Sequence, residues 1–251
     1  MKRNTHEAGG VLCSIVGFAL LKHQGYLLPD VNEAVQWLVM YPFCLWGSVA
    51  SDLDHNPDSI PKRDVVSKVV NKTLHITHPI VKVIEKHHTE AECKHNPIYR
   101  ISKFLDAKHR SWQTHSDFTL VVLILLLKLV QSGKLTFLSP IDISLISLVL
   151  MAVTTGVVAH FILDMLTPEG VWFTPFVILN GFLGLFNPKL KVLPAKVHLV
   201  PHRQFFATGG KWEDAIRKVL KVLTVLAILW FLWNLIYPMI KDYIPYTISF
   251  G

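Results

Sequence analysis

The sequence predicts an all-α, polytopic helical membrane protein, and two observations favour this class. Hydrophobic residues make up 51% of the 251 residues and charged residues only 17%, below the roughly 25% that soluble domains carry. The apolar residues are also gathered into runs that approach the about 20 residues of a membrane-spanning helix. This composition excludes a disordered chain, and the three cysteines have no recognised spacing, which excludes a disulfide scaffold.

Five apolar runs are predicted to be transmembrane helices, with four or six spans as alternatives. They cover residues 8–21, 34–51, 118–130, 143–159 and 222–240. Residues 170–188 are also apolar, but Pro175 and three glycines favour a re-entrant or interfacial segment. No small-residue cleavage site follows the first run, so we expect a retained helix and not a signal peptide.

The predicted organisation is one membrane-embedded domain over residues 1–251. Residues 56–108 form an inserted cytoplasmic loop with amphipathic helices expected at 65–74 and 80–87, and residues 222–240 form the C-terminal transmembrane helix. The segment 56–117 holds eleven Lys or Arg against seven Asp or Glu, and the segment 187–221 holds eight against two. Basic residues favour the cytoplasmic side, so we expect the N-terminus and both segments to face the cytoplasm.

The net charge of +7 is interpreted in the same way. In a membrane protein such an excess indicates topology and contact with anionic lipid headgroups. We therefore expect membrane lipids, and no nucleic acid, as partners.

Residues suited to metal binding lie at the ends of four predicted spans. They flank the starts of the first and third spans and the ends of the second and fourth. With alternating topology these four ends lie on one face of the membrane, so the side chains can converge. The predicted metal ligands are His6, Asp52, Asp54, His55, His109, His115, His160 and Asp164.

The chemistry of these side chains suits zinc, manganese or iron, with zinc expected first. His160 and Asp164 are four residues apart and share a face if they lie on a helix. Eight ligands exceed the four of one tetrahedral zinc, which indicates several metals or residues that support the ligands. The alternatives are a helix end at Asp54 and a structural hydrogen-bonded pair at His160 and Asp164. Carboxylates near membrane depth are costly, which favours the functional interpretation.

At these residues the chain resembles the YdjM-like bacterial inner-membrane proteins, described as membrane-bound metal-dependent hydrolases. The resemblance covers about residues 1–175, and two departures are the longer stretch between His55 and His109 and the sequence Ser111-Trp112-Gln113. The matching motifs are Thr5-His6, Ser51-Asp52-Leu53-Asp54-His55, His109-Arg110, Thr114-His115-Ser116, and His160-x-x-x-Asp164-x-x-Thr167-Pro168-x-Gly170. The family is distantly similar to the zinc-dependent phospholipase C and single-strand nuclease group, which implies a phosphoester substrate.

Three residues are assigned to catalysis. Asp54 is assigned to the reaction as well as to the metal. Arg110 is a candidate for binding an anionic group, because guanidinium pairs bidentately with phosphate, although a headgroup contact or a cap is an equal alternative. Glu169 is a candidate general base or a turn residue.

Two further sets of polar residues leave alternatives open. Thr114 and Ser116 either hydrogen-bond the ligands or cap the helix expected near Asp117. The histidines and the cysteine of residues 75–95 form a second zinc site or are solvated loop residues, and their spacing matches no zinc pattern.

Three functions compete at this point. The first is a metal-dependent hydrolase with its site at the cytoplasmic membrane face, acting on a phospholipid or lipid-linked phosphate. The second is a transporter or ion-binding protein that uses the same His/Asp cluster, but transporters place ligands near mid-membrane and show internal repeats. The third is an adaptor that binds a partner through the basic loop, which would not need the paired carboxylates and histidines.

Overall fold

The computed structural model describes residues 3–28, 31–50, 72–73, 76–106, 114–135, 137–167, 170–186, 196–197 and 210–240. The predicted all-α class is confirmed for this part of the chain. The helices are α1 Arg3–His23, α2 Glu33–Ala50, α3 His78–His87, α4 Glu90–His95, α5 Pro97–Leu105, α6 Asp117–Gln131, α7 Pro140–Met165, α8 Thr174–Phe186 and α9 Lys211–Ile240. An antiparallel ladder of β1 Val171–Trp172 with β2 Lys196–Val197 was not predicted.

Each of the five predicted spans falls on a helix, α1, α2, α6, α7 or α9. In the described segments, α7 alone is long and apolar enough to cross a membrane by length and composition, so the number of spans stays a prediction. α8 has 13 residues, about 20 Å of helix, which is shorter than the roughly 30 Å of a bilayer core. Its re-entrant placement is likewise untested.

Two helices extend beyond the apolar runs that predicted them. α1 begins at Arg3, so His6, which precedes the first predicted span, lies within the same helix as that span. α7 runs on to Met165 and therefore carries both His160 and Asp164. Backbone hydrogen bonds within a helix do not depend on apolar side chains, so the helices continue past the hydrophobic run.

α7 is the centre of the bundle and packs against α1, α2 and α6, while α9 packs against α1. One core cluster is formed by Phe18, Met40, Cys44, Leu148 and Ala152. A second cluster along α7 is formed by Val153, Val157, Phe161 and Val171. Phe231 of α9 completes the first cluster from the side, since its ring meets the ring of Phe18 edge-on at 5.9 Å.

Two glycines bring the backbones of α2 and α7 into direct contact. A Cβ at Gly156 would overlap the carbonyl oxygen of Cys44 and lie 2.7 Å from the amide nitrogen of Ser48. A Cβ at Gly47 would overlap the carbonyl oxygen of Val153. Small residues permit such close helix crossings in membrane proteins. The crossing places His160, one turn after Gly156, beside the end of α2.

Helices α3, α4 and α5 form a small unit of their own, residues 76–106, which we call the inserted helical unit. Its core is Val81, Cys93 and Tyr99, with Ile84 against them. The side chain of Thr89 caps α4 in a capping box, and Asn96 caps α5. The amphipathic helix predicted at 80–87 is therefore confirmed as part of α3, whereas the one predicted at 65–74 lies almost wholly outside the described residues.

Replacement of Gly156 by alanine tests the close crossing. We expect Gly156→Ala to lower the free energy of unfolding by about 1–3 kcal/mol or more, because the new methyl group meets backbone that cannot move aside. The measurement is the thermal unfolding midpoint in detergent.

The matched control is Gly9→Ala on α1, whose new methyl group would meet Cδ1 of Leu163, the end of a flexible side chain. We expect the control to melt closer to wild type. Equal midpoints for the two variants would contradict the crossing as described.

Candidate metal centre

Three histidines and one carboxylate converge at one end of the bundle. His6 comes from α1, His115 from the segment before α6, and His160 and Asp164 from α7. All four are at most 1% exposed. The Nε2 atoms of His160, His6 and His115 lie 3.1, 3.4 and 3.5 Å from the carboxylate oxygens of Asp164.

His160 and Asp164 share a face because they are four residues apart on α7, as predicted. Nδ1 of His160 lies 2.7 Å from the carbonyl oxygen of Ser48. A carbonyl oxygen only accepts hydrogen bonds, so Nδ1 carries the proton and donates it. In a neutral imidazole the lone pair is then on Nε2, the atom that faces Asp164. The α2–α7 crossing thus sets both the tautomer and the direction of this ring.

His115 is held by its neighbours in sequence and by the segment that follows α7. Its Nδ1 lies 3.0 Å from the hydroxyl oxygen of Thr114, and its carbonyl oxygen accepts a 2.8 Å hydrogen bond from the amide of Trp172. The Ser116 side chain caps α6 by accepting from the amide of Phe118. Both alternatives for this motif therefore hold, one for each residue: Thr114 contacts a predicted ligand, and Ser116 caps the helix.

Thr174, the first residue of α8, holds the start of α6 through two further contacts. The amide of Thr174 donates a 2.7 Å hydrogen bond to the Asp117 carboxylate, and its hydroxyl lies 3.0 Å from that of Ser116. The turn between α7 and α8 includes Gly170, whose φ of +61° is the left-handed conformation that glycine adopts readily. This turn brings residues 171–174 back against the His115 segment.

His6 approaches Asp164 from α1, and its ring stacks on the ring of His160 with centroids 3.9 Å apart. The neighbouring residue, Thr5, donates a 2.9 Å hydrogen bond to Oε1 of Glu213 in the first turn of α9. Both partners are buried, at 1% and 3% exposure. The sequence does not single out Glu213, because this residue lies in a basic segment that the charge count predicts to face the cytoplasm.

The spacing of His6, His160 and Asp164 fits a divalent cation, and Nε2 of His115 lies 3.5 Å from Oδ2 of Asp164. Ligands bound tetrahedrally at about 2.0–2.2 Å from one ion are about 3.3–3.6 Å apart, and two of the three nitrogen–oxygen distances at Asp164 fall in that range. Those two distances are also longer than the usual 2.9–3.0 Å of an N–H···O hydrogen bond. Ligand atoms of His6, His160 and Asp164 all lie within 4.8 Å of one another. The donor set of imidazole nitrogen and carboxylate oxygen is that of zinc, manganese or iron sites.

The structure thus brings together four of the eight predicted ligands. The other four and the proposed catalytic residues lie outside the described residues, so their positions stay predictions. They are Asp52, Asp54, His55 and His109, and Arg110 and Glu169.

The histidine-rich stretch at 75–95 shows no second metal cluster in its described residues. His78 instead pairs with the carboxylate of Asp106, with Nδ1 2.9 Å from Oδ2. Cys93 is 3% exposed and belongs to the core of the inserted helical unit. For these two residues a structural role accounts for the observed contacts.

Fold and site together define a class: a helical protein with a long apolar central helix that buries a His/Asp cluster at one end. The chain matches the YdjM inner membrane protein family over residues 1–239 and belongs to that family. The match extends through most of α9, so the expectation that the resemblance ends near residue 175 was too narrow. No curated protein and no solved structure matches the chain, and the similarity to the phospholipase C and nuclease group stays a prediction.

Replacement of Thr5 by valine tests the contact between α1 and α9 beside the site. Valine keeps the shape of threonine but removes a buried hydrogen bond to a carboxylate. Hydrogen bonds to charged groups contribute about 1.5–3 kcal/mol, so we expect Thr5→Val to lower the free energy of unfolding by that amount.

The matched control is Ser14→Ala on the same helix. Ser14 is also buried, but its hydroxyl bonds only the Val11 carbonyl oxygen one turn away, so we expect a smaller change. Thermal unfolding of the two variants in detergent compares them directly, and a loss for Ser14→Ala as large as that for Thr5→Val would contradict this interpretation of the contact.

Proposed function

We propose that this protein is a membrane-bound metal-dependent hydrolase that acts on a phosphoester, such as a phospholipid or a lipid-linked phosphate. The observation that supports this proposal most directly is the burial of Asp164 among three imidazoles, with nitrogen–oxygen distances of 3.1–3.5 Å. A site of this composition and spacing is suited to a cation. The membership of the chain in an inner-membrane protein family supports a membrane-associated substrate.

The described residues would hold the metal through Nε2 of His6, His115 and His160 and the carboxylate of Asp164. A divalent ion in such a site lowers the pKa of water towards neutrality and polarises a phosphoryl oxygen. The Ser48 carbonyl oxygen orients His160, and the Thr114 hydroxyl does the same for His115. Such supporting hydrogen bonds direct the ligand nitrogens inward.

The position of the site favours hydrolysis at the membrane surface over transport. His160 and Asp164 lie in the last two turns of α7, which begins at Pro140, so the cluster is at the end of the apolar helix and not at its middle. Transporters bind their cargo near the bilayer midplane. A site at a helix end is near the level of the lipid phosphates.

Arg110 and Glu169 complete the proposal. Arg110 is proposed to pair with the phosphate of the substrate, since guanidinium forms two parallel hydrogen bonds to such a group. Glu169 is proposed as the general base, and Asp54 as a further ligand or reacting group. All three lie outside the described residues, so sequence alone supports these roles.

Metal content is the first test of the proposal. We expect detergent-purified wild type to contain one or more equivalents of zinc, manganese or iron by plasma mass spectrometry, and Asp164→Ala and His160→Ala to lose most of it, because each removes a ligand atom. His23→Ala is the matched control: it removes an exposed histidine from the other end of α1 and should leave the metal in place. Wild type without metal, even after metal is added back, would contradict the proposal.

Hydrolysis is the second test. Metal-loaded protein in mixed micelles should release phosphate or a phosphorylated headgroup from a panel of phospholipids and lipid phosphates. Asp164→Asn, which keeps the shape and removes the charge, should lower that rate by at least about a hundredfold, while His23→Ala retains it. Metal uptake into vesicles without hydrolysis of any lipid would instead support the transporter.

A further inference from the structure

The inserted helical unit exposes a second apolar surface in addition to its own core. On α5 the exposed residues are Ile98, Ile101 and Leu105, which are 64%, 52% and 47% exposed. Their spacing of three and four residues places them on one face of the helix. Tyr99 and Ser102 lie on the adjacent face of α5, which packs into the unit. Each of these two side chains is 6% exposed.

Helix α3 repeats this arrangement. Val81 is buried in the core of the unit, whereas Ile80 and Val83, three residues apart, are 46% and 60% exposed. A small soluble helical unit would carry polar side chains at such positions. Apolar side chains grouped on the outer faces of two helices mark a surface that binds an apolar partner.

The charges beside these stripes point to an anionic partner. The two helices carry four basic residues, Lys82, Lys86, Arg100 and Lys103, against a single acidic one, Glu85. Glu85 and Lys103 engage each other, and Glu85 also accepts a hydrogen bond from the Tyr99 hydroxyl, so the two helices carry an excess of three positive charges, four basic residues less one acidic. Helices that combine an apolar stripe with several Lys and Arg are typical of segments that lie in the headgroup region of an anionic bilayer.

The connection to the bundle keeps the unit close to a membrane. Asp106, which ends α5, and Thr114, which contacts His115 of the candidate metal centre, are eight residues apart. Eight residues reach at most about 28 Å when fully extended. The unit therefore remains near the end of the bundle where the metal cluster lies, and a short tether raises the effective concentration of its lipid partner.

We propose that the inserted helical unit lies in the bilayer surface beside the candidate metal centre, with the exposed stripes of α3 and α5 among the acyl chains and its basic residues at anionic lipid phosphates. This placement holds whether or not the metal centre hydrolyses lipid. It would bring anionic lipid close to the end of the bundle where the metal cluster lies.

Lipid-quenching fluorescence on the full chain tests this placement. An environment-sensitive fluorophore is attached at Ile101→Cys, on the exposed stripe, and in a matched protein at Glu90→Cys, an exposed polar position of α4. Both proteins are reconstituted in vesicles of equal parts phosphatidylethanolamine and phosphatidylglycerol containing a lipid with a nitroxide on its acyl chain. Protein without an added cysteine gives the labelling background.

We expect the nitroxide to quench the probe at position 101 at least about twofold more than the probe at position 90. We also expect this difference to shrink when phosphatidylcholine replaces both lipids, because the basic residues lose their anionic partners.

Three results would overturn the proposal. Equal quenching at the two positions would place the stripe outside the bilayer. A difference that is unchanged in phosphatidylcholine would remove the anionic lipid as the partner. A probe at position 101 that is shielded from water but not quenched would show that a second copy or another protein covers the stripe.

Discussion

A carboxylate that is 1% exposed at the end of an apolar helix must be compensated, and Asp164 is such a group. The charged form is strongly disfavoured in an apolar environment unless cations or hydrogen bonds offset the loss of water. Three imidazole nitrogens lie within 3.5 Å of its oxygens, and because Nε2 of His160 presents a lone pair to the carboxylate, a cation shared by these atoms, as proposed above, would supply the compensation. Much of the surrounding structure positions these rings: α1 carries His6, the turn before α6 carries His115, and α7 carries His160.

The convergence depends on how closely the helices cross. Gly47 and Gly156 let the backbones of α2 and α7 touch, and this contact puts the Ser48 carbonyl oxygen within 2.7 Å of His160 Nδ1. The same ring is stacked on His6 from the other side. A ring fixed by a hydrogen bond and a stacking contact has little freedom, so its second nitrogen is directed at Asp164. Packing between apolar helices thus orients the polar centre.

The sequence was sufficient for features that follow from local pattern or from span order. Apolar runs gave the positions of the long helices, and the four-residue spacing put His160 and Asp164 on one face. Alternating span ends then predicted that His6 and His115 would join them. Helix boundaries were less accurate, because α1 and α7 continue through polar residues that end an apolar run.

Features that depend on long-range contact could not be predicted. Glu213 bonds Thr5 across 208 residues, and nothing in its own neighbourhood distinguishes it from a solvated acidic residue. The roles of Gly47 and Gly156 depend on which helix lies opposite each glycine, which a single sequence does not specify. The hydrogen bonds of Thr174 at the start of α6 depend in the same way on the turn at Gly170.

The central proposal is that Asp164 and the histidines around it bind one cation directly. X-ray absorption at the metal edge of the loaded, detergent-purified protein tests it most directly. The account predicts nitrogen and oxygen ligands at about 2.0–2.2 Å with the outer scattering of several imidazoles, and fewer imidazoles in His160→Ala. A spectrum dominated by sulfur at about 2.3 Å, or one that His160→Ala leaves unchanged, would contradict it.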